Sequence, residues 1–182
     1  MLTPMILAVC LLTAPFSMAR AHNAATQSPA VTAGDVIPTS LFIKEKPKDS
    51  QDIRESKTTA KVGDKITLNG RVGGRKEPFV KSRSMFILAD RRLVACDEKA
   101  DDHCKTPWDF CCDTPETIKA NTVTIQIVGA DKKPLKVSAE NAGGLKTLSK
   151  VTVVGTVREI TKDGAFVVDA EQIYVEPVAA KP

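Results

Sequence analysis

Lys65-Ile66-Thr67-Leu68-Asn69-Gly70-Arg71-Val72 alternates strictly along its length. A period of two places Ile66, Leu68, Gly70 and Val72 on one face of an extended strand and Lys65, Thr67, Asn69 and Arg71 on the other. The first face belongs to a core. Downstream, Met85-Phe86-Ile87-Leu88-Ala89 is a short apolar strand, and Thr122-Val123-Thr124-Ile125-Gln126-Ile127-Val128 alternates again with Val123, Ile125 and Ile127 inward. Val151-Thr152-Val153-Val154-Gly155-Thr156-Val157-Arg158 and Ala165-Phe166-Val167-Val168 flank Thr161-Lys162-Asp163-Gly164, whose Asp-Gly pair signals a hairpin. Gln172-Ile173-Tyr174-Val175 ends the last strand or continues it past a bend. The spacing predicts five strands with long second-to-third and third-to-fourth connections and a tight last hairpin. An all-β, five-stranded Greek-key barrel fits. Gly70 and Gly155, inside the first and fourth strands, are where a small barrel bends at least cost. Leu145 and Leu148, in the connection before the fourth strand, predict a short helix or turn plugging one barrel end.

The composition supports one such domain. The chain has 182 residues, 42% of them hydrophobic and 4% aromatic, with 26 Lys plus Arg against 22 Asp plus Glu. This excludes a composition-driven disordered chain, a large solenoid and a two-domain enzyme. A domain of this size buries roughly two-thirds of its unfolded surface and needs no metal or disulfide merely to fold. A net charge of +4 is too small for a histone-like binder, so only a local concentration of cations argues for a polyanion partner.

Residues 1–21 read as a signal peptide. Met1 to Ala19 carries no charged side chain, its apolar run is short for a membrane span, and Ala19-Arg20-Ala21 offers small residues for cleavage. The exported or periplasmic reading competes with an uncleaved anchor; a lipid on Cys10 is rejected because Val9 is too bulky before it. Residues 22–48 read as a linker or extended arm, with Leu41-Phe42-Ile43 able to dock on the domain. The domain then runs over 49–176, opening with an exposed helix from Asp49 or Ser50 to about Ala60, and 177–182 form a tail. Removing Cys10 leaves four cysteines, an even number that suits an oxidising compartment.

Val62 to Val72 together with Val151 to Val157 resembles the first and fourth strands of the OB-fold in its nucleic-acid-binding, tRNA-anticodon-type branch. Gly73-Gly74-Arg75-Lys76-Glu77-Pro78-Phe79 and Pro107-Trp108-Asp109-Phe110-Cys111-Cys112 are similar to a set of exported bacterial OB-fold proteins of uncharacterised function. The resemblance spans about residues 35 to 176. It implies a fold and an exported state, and no activity.

In OB-folds the face of strands two and three and the loop after strand one bind oligonucleotides or oligosaccharides. Arg71, Arg75, Lys76, Lys81 and Arg83 crowd that loop here, with Phe79 and Phe86 as candidate stacking partners and Arg91 and Arg92 beyond. This predicts a ligand surface for a polyanion, either single-stranded nucleic acid or acidic polysaccharide. The plainer alternative is a solvated basic loop balancing Asp97-Glu98 and Asp101-Asp102. A different class of function is a structural or protein-interaction module of the cell envelope, using the arm at Leu41-Phe42-Ile43 or the Trp108 loop.

Cys96, Cys104, Cys111 and Cys112 do not have the paired Cys-x-x-Cys spacing of zinc knuckles. Disulfides are the favoured reading, Cys96 and Cys104 each pairing with one of the vicinal two, because a Cys111–Cys112 bridge is a strained ring. Zinc with His103 as an extra ligand is the alternative. No calcium loop, serine elbow, zinc-protease helix, phosphate loop or dinucleotide fingerprint occurs, so neither catalysis nor a cofactor is expected.

Overall fold

The computed structural model describes residues 36–178. The predicted signal segment, Cys10, His22 and the last four residues lie outside them, as does most of the predicted arm. The elements are α1 (Ile53–Thr59), β1 (Lys65–Val72), β2 (Met85–Ala89), α2 (Pro115–Ala120), β3 (Thr122–Gln126), β4 (Lys150–Ile160) and β5 (Phe166–Val175).

The strands close into a barrel in the order β1-β2-β3-β5-β4, with β4 returning to β1. All neighbours are antiparallel except β3 and β5, which run parallel, Ile125 opposite Val168. A closed five-stranded Greek-key barrel of this kind is an OB-fold. Alternation drives the closure. Leu68, Phe86, Leu88, Ile125, Val153, Val168 and Ile173 fill the interior with no exposed surface, each worth on the order of 1.5–3 kcal/mol over leaving it in water. The two strand glycines lie at the tightest approaches. A Cβ at Gly70 would fall 2.6 Å from the Ala89 carbonyl oxygen, and one at Gly155 would strike the Asp169 carbonyl oxygen. The β4–β5 register also shifts between Val154 and Gly155, a bulge that bends the longest strand pair.

The barrel ends are covered from outside the sheet. Leu145 is fully buried against the barrel core, following a single 3₁₀ turn at Ala142–Gly144 rather than a helix, whereas Leu148 packs on the separate cluster around Phe110. Of the arm, a 3₁₀ turn at Thr39–Leu41 leads Phe42 into a bridge with Ile173, and the Ile43 N–H donates to the Ile173 carbonyl at 2.9 Å. α1 starts at Asp52, later than Asp49, because Asp49 has a left-handed φ of 57°; its Ile53 is fully buried on the barrel. α2 was not anticipated. Its signal is Thr114, whose hydroxyl accepts the Thr117 N–H at 3.2 Å, followed by Pro115 in the first turn. No helix among the described residues is long and apolar enough to cross a membrane.

Candidate functional site

Two long connections converge on one side of the barrel: residues 73–84 between β1 and β2, and residues 90–121 between β2 and β3. The second is closed at its base by the Asp90 N–H donating to the Asn121 carbonyl at 2.8 Å. The buried Asp90 carboxylate ties this base to α1, accepting the N–H of Arg54 at 3.0 Å and of Arg92 at 2.9 Å, and the Arg92 Nε at 3.2 Å. Burial alone would raise the Asp90 pKa. The guanidinium and backbone donors outweigh it and hold the group below the usual carboxylate range.

The predicted cations separate into two groups. Arg71 does not face solvent: it is 8% exposed, its Nη2 lies 2.6 Å from Glu98 Oε1 and its Nη1 3.5 Å from Asp97 Oδ1. Asp97 and Glu98, two of the acids read as balancing the basic loop, fold back over Arg71 and take it out of the exposed cations. Arg92 engages Asp90 and Asp52, and Arg91 approaches Glu176 at 3.6 Å. Arg75, Lys76, Lys81 and Arg83 all stand exposed on the β1–β2 connection. Lys81 sits 3.7 Å from Glu77 with both side chains open to water, a pair of little energetic weight.

The predicted stacking aromatics are turned inward. Phe86 is fully buried and Phe79 is 6% exposed; their rings meet at 5.9 Å and 42° as a core pair. The reason is local. Phe79 and Phe86 face each other in an antiparallel bridge across the 80–85 turn, so both side chains fall on the inner face. The aromatic that does reach the cation loop is Trp108. Its half-buried indole donates from Nε1 to the Lys76 carbonyl at 2.8 Å, and its own carbonyl accepts the Gly74 N–H at 2.7 Å. Gly73 makes this possible, since a Cβ there would lie 2.6 Å from the Trp108 carbonyl oxygen and 2.9 Å from the Phe110 ring. The Gly73-Gly74-Arg75-Lys76 run and the Pro107-Trp108-Asp109-Phe110 run are thus two halves of one contact.

The outer face of β2 and β3 lies beside this contact. A Cβ at Gly74 would reach Thr122 Cγ2 at 2.7 Å and Ile87 Cγ2 at 3.1 Å, and these two side chains floor a cavity of about 210 Å³ that Thr124, Lys119, Gly164 and Phe166 complete. Gln126, predicted outward on β3, is 7% exposed and donates to Asp169 Oδ1 at 2.6 Å. Lys57 holds the cavity's frame: its ammonium donates to the carbonyls of Lys119 at 2.7 Å, Thr122 at 2.9 Å and Gly164 at 3.2 Å. Burial, with the charge of Lys119 adding, lowers its pKa from the usual lysine range.

The structure shows no disulfide among the four cysteines. Among the described residues all four are free thiols. The Sγ atoms of Cys104 and Cys111 are 3.5 Å apart, against about 2.05 Å for a covalent bridge. The Sγ atoms of Cys96, Cys111 and Cys112 lie within 4.8 Å of one another, and that of Cys104 lies within the same distance of Cys96 and Cys111. Burial pushes the Cys96 thiol up to about 11, and the Cys104 thiol beside it pushes Cys111 up to about 12. Cys104 is lowered, first by the Thr106 backbone N–H and then by Cys111.

No protein-family model matches the chain, nor does any curated protein. Among solved structures it is similar to the hypothetical protein ygiW from E. coli, at 13% identity and a TM-score of 0.36 over 70% of this chain and 90% of that one. It is also similar to the aspartyl tRNA synthetase from Entamoeba histolytica, at 11% identity and a TM-score of 0.44 over 81% of this chain. The chain spans about a quarter of that synthetase, 27% of its length.

Proposed function

We propose that this OB-fold is an exported, non-catalytic binding module for an extended polyanion, with single-stranded nucleic acid as the first ligand to test. The observation that carries the reading is the division among the cations: Arg75, Lys76 and Arg83 have no carboxylate partner among the described residues, while Arg71, Arg91 and Arg92 do. Basic side chains on the loop after the first strand, next to a partly exposed indole and the β2–β3 face, match the way OB-folds track a phosphate backbone and stack bases. The envelope-docking alternative gains nothing from the arm, whose Leu41 and Phe42 are already packed on the barrel.

Fluorescence anisotropy with a labelled oligothymidylate, and with a sulfated polysaccharide in parallel, tests the ligand. If four cations meet phosphates, log K falls against log salt with a slope of about −2 to −3. Replacing Arg75, Lys76, Lys81 and Arg83 together by Ala flattens it. A salt-independent affinity, or a quadruple variant with the parent slope, overturns the reading. Export is tested separately by the amino terminus of periplasmic material, expected at His22 or Arg20.

A further inference from the structure

The cysteine quartet is placed for something other than pairwise oxidation. A disulfide couples sulfurs two by two, yet Cys96 and Cys111 each have the sulfurs of the other three cysteines within 4.8 Å. Neighbouring side chains of an extended segment point to opposite sides; Cys111 and Cys112 instead lie in a turn that follows the left-handed φ of 56° at Phe110, and both sulfurs lie within 4.8 Å of the Cys96 sulfur. Four thiolates around a tetrahedral ion at about 2.3 Å stand roughly 3.8 Å from one another. Here Cys104 and Cys111 stand 3.5 Å apart, and Cys96 and Cys111 each lie within 4.8 Å of the other three.

The surroundings fix the donors. Cys96 is 1% exposed and opens a 3₁₀ turn at Cys96–Glu98, whose acids are held by Arg71. The Cys104 N–H donates to Asp102 Oδ1 at 2.7 Å and the Cys111 N–H to Asp109 Oδ1 at 3.0 Å, so each of these ligands hangs from its own carboxylate-capped turn.

We infer that Cys96, Cys104, Cys111 and Cys112 form a structural zinc site with four thiolate ligands, which fixes the 90–121 connection and through Trp108 sets the shape of the cation loop. Soft thiolates in a closed tetrahedral set suit zinc. Binding one Zn²⁺ converts four thiols to thiolates and releases four protons at a pH where all four were protonated; no electrons move. His103, exposed on the same connection, is not a ligand.

The test uses the full chain carrying Cys10→Ser, reduced, freed of metal and then given zinc chloride or cobalt chloride alone. Native mass spectrometry is expected to show one zinc per chain. Cobalt is expected to give the strong visible bands and near-ultraviolet thiolate charge transfer of a tetrahedral sulfur site. Cys112→Ser should weaken zinc binding by more than about 100-fold, beyond the loss seen when only an outer partner is removed, while His103→Ala leaves it unchanged. The cobalt spectrum of the parent chain keeps the test decisive if the serine variant does not fold. A pale octahedral cobalt spectrum, a brown iron-containing protein as isolated, or a metal-free chain lighter by two or four protons before reduction would each overturn the assignment. Loss of polyanion binding with zinc retained would count against the ligand reading alone.

Discussion

The barrel and the 90–121 connection hold their backbones by different means. In the barrel, five strands bury their alternating aliphatics against one another, and hydrogen bonds close every edge. The connection has only Leu93, Ala95 and Phe110, with Ala89 at its base, as a buried apolar cluster. It depends instead on Asp90 at its base, the Arg71 ion pairs and the sulfur quartet. The same protein therefore has one region whose order comes from area removed from water and another whose order comes from a few polar and sulfur atoms. The second kind is sensitive to pH, metal and redox state; the first is not.

The sharpest contrast comes from two fully buried phenylalanines, Phe86 in the barrel and Phe110 in the connection. Phe86→Ala is expected to cost about 3–5 kcal/mol in urea unfolding. Phe110→Ala should lower global stability by roughly half of that or less, and should instead speed amide exchange across 90–121, because local opening need not pass through the barrel. Equal losses at the two sites would mean that connection and barrel unfold as one unit.

Asp90 joins the two regions, and its removal is expected to have the next largest effect. Asp90→Ala should destabilise by about 2–3 kcal/mol, because donors to a buried carboxylate are left without a partner. The sign of the pH dependence follows from its lowered folded-state pKa. Its contribution is complete above the unfolded value of about 4 and is lost as pH falls through the folded value, so acid should unfold the parent protein more steeply than Asp90→Asn. Parallel acid titrations by circular dichroism decide it; identical steepness would remove Asp90 as the link.

The two regions were also unequally legible in the sequence. Strict alternation at Ile66, Leu68, Val72, Val123 and Ile125, with the Asp-Gly turn, contained the barrel, since a period of two fixes both strand and buried face. Arg71 was assigned to the outer face correctly, yet the sheet pattern could not reveal that residues 97 and 98 would return to cover it. Phe86 lay in a run of five apolar residues where alternation says nothing about facing, and Phe79's partner became visible only once the 80–85 turn was closed. The thiol cluster was hidden for another reason. Its spacings follow from irregular turns, including a left-handed Phe110, and no sequence period reports such turns.

Gly73→Ala tests how the two connections lock together. The new Cβ would press on the Trp108 carbonyl and the Phe110 ring, at an expected cost of about 1–2 kcal/mol. Trp108 is the chain's single tryptophan, so its emission reports the contact directly and should shift to the red as the indole leaves the Lys76 carbonyl. Unchanged emission would show that the loops hold their shapes independently.

The smallest expected structural effect tests the exposed rim of the barrel side. The Lys81 side chain is 85% exposed and its one close carboxylate among the described residues, Glu77, is 68% exposed, so Lys81→Ala should leave the urea midpoint where it is. If its ammonium meets a phosphate, the same substitution should reduce the magnitude of the salt slope for oligothymidylate by about 0.7, one contact's worth for a single strand. A residue that changes the slope without touching stability acts on the ligand and not on the fold. Lys81 separates the two because no buried group among the described residues pairs with its charge; an unaltered slope would confine binding to Arg75, Lys76 and Arg83.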